Sequence, residues 1–508
     1  MGYTTLWKGL SPAKLNIAIQ TFSLISIFFE GYDQGVMGGV NAAPRYVEKV
    51  GIGLPNGQVT DEVHQGGIVS IYYLGCIVGC FAGGWAADRI GRVNGLVEIL
   101  NRISNRLIHC RLFIGSIFAL IGGALQAATQ SSDFILVARV VTGLGTGALT
   151  GITPVLVSET STASHRGGFL GYVFIANYLG ISVAYWLSFG LAFINNGYSD
   201  VRWRFLLAFQ CFPALLLFAG IKMLPDSPRF LASVGRYDEA REVLEQVRGK
   251  YDASVETEFL EIVAVAKESK KSSPLQFAKI LVGKGGKRGG HLGRRAWLCL
   301  WLQIMASWTG ITAVTAYSPV LLSQAGYSTL TQNGLAGGLN TIGIVGTIIS
   351  AQIVDRLGRR LCLIAGAAGL FAVNLIAGSL YEAARSQPDK AGLLAPAAVA
   401  MLFLFNLCYA ATWGTVAFLI PTEIWSSEMR AQGLNMVWMP IVYLFYPETA
   451  DRSLESIDVL FSTSSPFNWK MEQQYREHGD ILREMGLSLG SGKMGAKAHS
   501  LKNESMAV

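Results

Sequence analysis

Apolar residues gather along this chain into blocks of bilayer-crossing length, separated by shorter polar stretches. A spanning helix needs about 20 mostly apolar residues. Ten blocks fit: Ile17–Val40, Gly66–Ala87, Leu112–Thr129, Phe134–Val157, Phe169–Phe193, Phe205–Met223, Ala296–Leu322, Gly334–Val354, Leu361–Tyr381 and Leu394–Ile420. Between the sixth and seventh lies a long polar segment, Leu224 to Arg295. Its stretch from Asp238 to Val247 has helical spacing and mixed charge, which predicts short helices joining two halves. Gly283–Gly293 reads as flexible linker. It lacks the G-x-x-x-x-G-K-[ST] pattern, so it is no phosphate loop. The pattern predicts an all-α polytopic membrane protein. Its parts are a short N-terminus (1–16), a first bundle (17–223), a helical linker (224–295), a second bundle (296–446) and a polar tail (447–508).

Composition agrees. Of 508 residues, 51% are apolar, 15% are charged and 58 are Gly. Gly suits close packing between membrane helices. The net charge of +7 could suggest nucleic acid, but its distribution argues otherwise. Lys8, Lys14, Arg89, Arg92, Arg166, Arg356, Arg359, Arg360 and Arg430 all fall on one side of the predicted topology. The opposite loops, such as Thr129–Asp133 and Ser323–Asn333, are nearly free of cations. By the positive-inside bias the N-terminus, the linker and the tail are cytoplasmic. The seven Cys show no metal-ligand spacing with the scattered His residues, and no nucleophile–base set appears. Neither a metal, a cofactor nor an enzyme is expected.

One basic motif occurs twice: Asp88-Arg89-Ile90-Gly91-Arg92, and Asp355-Arg356-Leu357-Gly358-Arg359-Arg360. Each copy follows an apolar block, which suggests two bundles descended from one unit, with a solute site between them. Further motifs come in order. They are Gly31-Tyr32-Asp33-Gln34-Gly35; Arg139 to Gly147; Pro154 to Gly167, with Glu159 and Arg166 seven apart; Pro225-Asp226-Ser227-Pro228-Arg229; Pro421 to Gly433, with Glu423 and Arg430 at that spacing again; Pro447-Glu448-Thr449; and Arg452-Ser453-Leu454-Glu455. This ordered set resembles the sugar porter family of the major facilitator superfamily, in a fungal-looking version, from about Phe28 to Asp458. The resemblance implies a major facilitator fold of two six-helix bundles. It implies transport of a sugar or polyol across a membrane, the plasma membrane being expected, by alternating access.

Arg139 near the start of an apolar helix is costly unless it faces inward and finds a partner. Asp33 is the matching acid. In proton-coupled members of the family the equivalent acid takes up the proton and the equivalent Arg tunes it. With Arg139 close, Asp33 stays ionised; if the Arg swings away, the desolvated carboxylate binds a proton. The bland alternative is a static brace between two helices. The resemblance also implies a cytoplasmic gate of Asp88, Arg89, Arg92, Glu159 and Arg166 in the first half, and Asp355, Arg356, Arg359, Glu423 and Arg430 in the second. Plain topology anchoring by positive charge is the alternative.

The solute site departs from the family pattern. Where hexose carriers present amides, this chain has Phe174, with Asn177 one turn on. Gln303 keeps a family position. Two adjacent glutamines are Ala306 and Ser307, an Asn is Thr312, and a Trp is Phe418. The expected pocket is less polar than a glucose site, and a smaller or less hydroxylated carbohydrate or polyol fits it as well as a hexose does. Phe174 and Phe418 could equally be helix packing.

Two segments break the pattern. Nineteen residues, Val93 to Arg111, intervene before the third crossing; an intron translated in frame and an amphipathic surface loop both fit. Between Arg430 and Pro447 the family has two crossings, but Leu434–Tyr446 supplies thirteen residues. At about 1.5 Å per residue these reach about 20 Å, short of a roughly 30 Å core. The second bundle is therefore expected to be truncated, leaving about ten full crossings. An uncoupled facilitator, a nutrient-sensing receptor and an inactive splice or gene-model variant stand as alternatives to a proton symporter.

Overall fold

The computed structural model describes residues 9–54, 59, 61–90, 107–160, 166–220, 224–233, 235–249, 254–268, 292–324, 327–387 and 390–424. Within them the protein is helical, apart from one isolated β-bridge between Gly53 and Val59. The first half contains α1 (Pro12–Asn41), α2 (Pro44–Val50), α3 (Glu62–Ile90), α4 (Leu107–Ala127), α5 (Ser132–Thr160), α6 (Arg166–Leu191), α7 (Asp200–Phe209) and α8 (Cys211–Gly220). The linker carries α9 (Pro228–Ser233), α10 (Tyr237–Arg248) and α11 (Ser254–Glu268). The second half contains α12 (Leu292–Trp308), α13 (Ile311–Gln324), α14 (Thr329–Leu357), α15 (Arg359–Ser386), α16 (Ala391–Tyr409), a π-helical turn (Ala410–Gly414) and α17 (Thr415–Ile424).

Among the described residues eight helical stretches are long and apolar enough to cross a membrane. They include Pro12–Asn41, Asp200–Gly220 (α7 with α8) and Gly392–Ile420. The third expected crossing is a shorter apolar helix, Ile114–Ala127. The second lies on α3, whose side chains beyond Cys80 fall outside the description. Residues 434–446, the expected truncation, lie outside it too, as do 93–106. The helix α4 begins at Leu107, so the last five residues of the intervening segment are helical rather than loop.

Glycine decides which helices touch. A Cβ on Gly31 would lie 2.0 Å from the Asn177 carbonyl oxygen, and one on Gly180 would lie 2.2 Å from that of Phe28. Only hydrogen at these positions lets α1 and α6 run backbone to backbone, as small residues do in membranes. Gly75 and Gly79 on α3 meet Val140 and Leu144 of α5 in the same way. The halves join chiefly where α6 packs on α14 and α1 on α13.

The linker helices dock on the start of α1. Leu15, Ile19 and Phe22 share a buried cluster with Leu231, Ala240, Val243, Leu244, Val247 and Ile262. Asn16 Nδ2 donates to the Val247 carbonyl at 3.1 Å. On α10, Arg248 pairs with Glu258 of α11 at 3.1 Å. The N-terminus of α1 and the linker therefore occupy one end of the molecule, and α2 the other.

The seventh crossing, expected as one helix, is broken. Gly310 stands at φ +94, a left-handed conformation that glycine tolerates, and separates α12 from α13. Inside α13, Pro319 has no N–H for the carbonyl of Thr315, and the backbone kinks at Tyr317. Tyr185 of α6 donates its hydroxyl to that carbonyl. The tenth crossing is interrupted by its π turn, beside which Trp413 Nε1 donates to the Leu363 carbonyl at 3.1 Å.

Candidate functional site

The centre of the first half holds an ion pair that water does not reach. Arg139 Nη1 lies 2.9 Å from Asp33 Oδ1, with the side chains 2% and 0% exposed. The sequence expectation that Arg139 faces inward and meets Asp33 agrees with this geometry. The aromatic ring of Tyr72 lies 4.4 Å from the guanidinium carbon, a cation–π contact. Gln126 of α4 stands by the carboxylate and bonds Thr142 Oγ1 at 2.6 Å. Asp33 Oδ2 and Arg139 Nε have no protein partner. An ion pair so placed is strongly unfavourable to break while both groups are charged.

Tyr72 and Gln126 were not predicted from sequence. The signal for Tyr72 lies in Gly75 and Gly79, four residues apart on α3. They bring α3 against α5 so closely that the neighbouring Tyr covers Arg139. The other omission is Tyr185, whose position on an apolar helix gives no hint of its backbone acceptor.

The expected solute residues separate into two groups. Phe174 is buried, and its ring centroid lies 4.6 Å from that of Phe418, tilted by 31°. Both belong to an apolar cluster with Ile27, Leu302, Met305 and Ala306. This is the packing alternative in physical form: each ring covers a face of the other. Asn177 is half-buried beside Gly31. Gln303 is half-buried on α12, Ser307 is exposed on the same helix, and Thr312 is exposed at the start of α13. The buried face of α12 is instead Leu298, Cys299, Leu302, Met305 and Ala306.

Of the expected gate, one contact is described. Arg359, 3% exposed, pairs with Asp355 at 2.9 Å and donates to the Val354 carbonyl at 3.3 Å. These bonds tie the last turn of α14 to the first turn of α15 across Gly358, whose φ is +81. Arg356 is exposed. Asp88 and Arg89 lie on the last turn of α3, Glu159 on the last turn of α5, Arg166 at the start of α6 and Glu423 near the end of α17. The side chains of these five lie outside the described residues, as do Arg92 and Arg430 altogether.

Polar contacts besides that of Tyr185 also join the halves. Ser188 Oγ donates to Asn333 Oδ1 at 3.2 Å, and Trp186 Nε1 to Thr341 Oγ1 at 2.9 Å. Tyr178, deeper along α6, donates to Asn406 Oδ1 at 3.1 Å, and Asn406 Nδ2 donates to the Leu339 carbonyl at 2.6 Å.

Known proteins resemble this chain. The model of the family described as "Sugar (and other) transporter" matches residues 18–439. The MFS-type transporter criB of Aspergillus cristatus is 30% identical over 460 residues, covering 86% of this chain and 91% of its own. The sugar transporter STL1 of Saccharomyces cerevisiae is 28% identical, covering 90% and 83%. Among solved structures, the major facilitator proton:xylose symporter XylE bound to 6-bromo-6-deoxy-D-glucose superposes with a TM-score of 0.65 at 19% identity. That match covers 93% of this chain and 91% of the other, and it establishes a shared fold.

Proposed function

The chain belongs to the sugar transporter family of the major facilitator superfamily, and from that footing we propose that it carries a sugar or polyol inward together with protons. The observation that supports the coupling is the Asp33–Arg139 pair. It is a charged couple sealed from water at 2.9 Å, and each partner keeps one polar atom unbonded. A rearrangement that separates the two leaves a desolvated carboxylate that takes up a proton. Solute binding between the halves and proton binding at Asp33 then bias the same rocking motion. STL1 is a sugar transporter and XylE a proton:xylose symporter by their names, which agrees with this reading.

The proposed solute contacts are Asn177, Gln303, Ser307 and Thr312, with the Phe174–Phe418 pair as an apolar wall. Few amides and two rings packed on each other favour a smaller or less hydroxylated solute over a hexose. The proposed cytoplasmic gate comprises Asp88, Arg89, Arg92, Glu159 and Arg166 opposite Asp355, Arg356, Arg359, Glu423 and Arg430. Such surface pairs are weak singly and act together by biasing one of two states. The plasma membrane is the proposed location, with residues 224–295 cytoplasmic.

The test is uptake of radiolabelled hexoses, pentoses and polyols in cells lacking their own carriers. Uptake that collapses when the pH gradient is dissipated, and that Asp33→Asn uncouples or abolishes, is the expected result. Gradient-independent uptake that Asp33→Asn leaves unchanged would overturn the coupling.

A further inference from the structure

One turn before Asp33, α1 carries a second acid. Glu30 is 6% exposed. Its Oε1 accepts from Gln34 Nε2 at 3.3 Å, and Thr150 of α5 stands by its carboxyl group. Its Oε2 is buried and has no partner. Among the described residues no Lys or Arg forms an ion pair with it, and the guanidinium of Arg139 pairs with Asp33. The groups around it are Asp33 on its own helix; Tyr72, Tyr73, Cys76 and Cys80 on α3; and Thr150 on α5. On α6 the nearest neighbours of this turn are the backbone of Asn177 and the glycine Gly180.

The charge count is decisive. The cluster contains two carboxylates and one guanidinium. Fully ionised it would hold a net negative charge away from water, with the Glu30 oxygens receiving only neutral donors. A buried carboxylate without a counter-charge is far less favourable than its neutral form. Asp33 has the cation, so the proton belongs on Glu30. Oε2, the oxygen that receives no donor, is the atom that carries it.

We propose that Glu30 is a second proton-binding site on α1, occupied while Asp33 is paired with Arg139. The two carboxyl groups, one turn apart, repel when both are charged and therefore titrate as a pair. Glu30 holds the first proton, and Asp33 accepts a second, from solvent, when Arg139 leaves it. The site itself stands on geometry and charge; its use in transport rests on the proton-coupled reading.

Infrared spectroscopy of the purified full chain in lipid nanodiscs at neutral pH tests it. A protonated carboxyl group gives a C=O stretching band separate from those of carboxylates. The expected result is such a band in the wild type that shifts on carboxyl-13C labelling of glutamate. Glu30→Gln removes it. Should Glu30→Gln not give monodisperse protein, Glu30→Asp is expected to move the band out of reach of the glutamate label. No carboxylic band in the wild type, or one that survives both changes at Glu30, overturns the proposal. Uptake indifferent to the pH gradient, with the band still assigned to Glu30, sinks the coupling reading and leaves the site standing.

Discussion

Replacing Tyr185 by Phe removes a single oxygen, and its cost follows from the backbone of another helix. Pro319 offers no N–H to Thr315, so the Thr315 carbonyl has no helical donor four residues on. The Tyr185 hydroxyl fills that place from α6, and Gly38 leaves room for it, since a Cβ there would sit 1.8 Å from the same oxygen. In the Phe variant the carbonyl is buried and orphaned. That costs about 1–3 kcal/mol, the upper part of the range being expected because Tyr185 is fully buried and lipid supplies no substitute donor. Pro319→Ala returns an N–H to position 319, so the double variant should recover part of the loss. The assay is a denaturant titration of the four proteins in mixed micelles, analysed as a double-mutant cycle. A coupling of roughly 1 kcal/mol or more in favour of the double variant is expected. Effects that add within about 0.5 kcal/mol would refute the argument that Tyr185 serves the carbonyl Pro319 leaves free.

Two further outcomes follow from the packing and the surface. Gly31→Ala should destabilise the protein by about 1–3 kcal/mol or more, because its methyl would overlap the Asn177 carbonyl oxygen; the same titration measures it, and Gly67→Ala, with nothing within 4 Å of its Cβ, is the neutral control. Glu48 on α2 accepts from Tyr198 at 2.6 Å and from Arg45 at 2.8 Å, and these bonds, that of Tyr198 foremost, hold its carboxyl below the ordinary value of 4.5. A lowered acid stabilises the fold above its unfolded value and loses that contribution as pH falls through the lowered one. The thermal midpoint of the wild type should therefore exceed that of Glu48→Gln near neutral pH, with the difference closing below 4.5; a constant difference would count against the tie.

The parts of the fold visible in sequence are those with a long-range average behind them. Blocks of apolar residues mark α1, α5, α6, α14, α15 and α16 because lipid imposes length and composition on any helix that crosses it. Boundaries were less visible. α1 begins at Pro12, five residues before its apolar block, since its first turn is stabilised by docking on α10 rather than by lipid. Asp33 and Arg139 could be paired from sequence because an intramembrane charge needs an opposite one. Glu30 satisfies the same criterion, but no second intramembrane cation points to it.

What the pattern could not supply is the consequence of single residues for backbone direction. Hydrophobicity runs through Trp308, Gly310 and Pro319 without interruption, yet the positive φ of Gly310 and the missing N–H of Pro319 divide that crossing. It likewise runs through Ala410–Gly414, where one wider turn shifts every later side chain around the helix axis. That shift bears directly on the solute site. Phe418 lies just after the π turn, so its direction cannot be counted from the residues before it at 3.6 per turn. It faces Phe174, and the two rings close against each other between the halves. An apolar contact at that place opposes entry of a highly hydroxylated solute, because every hydroxyl that reaches it gives up water for carbon. The same contact must part or slide when the halves rock. Substituting Phe418 should therefore alter which solutes are taken before it alters how tightly any one is held, and competition among pentoses, hexoses and polyols for uptake by Phe418→Leu measures that order. Inhibition constants that all weaken by a common factor would mean the ring supports the fold and takes no part in selection.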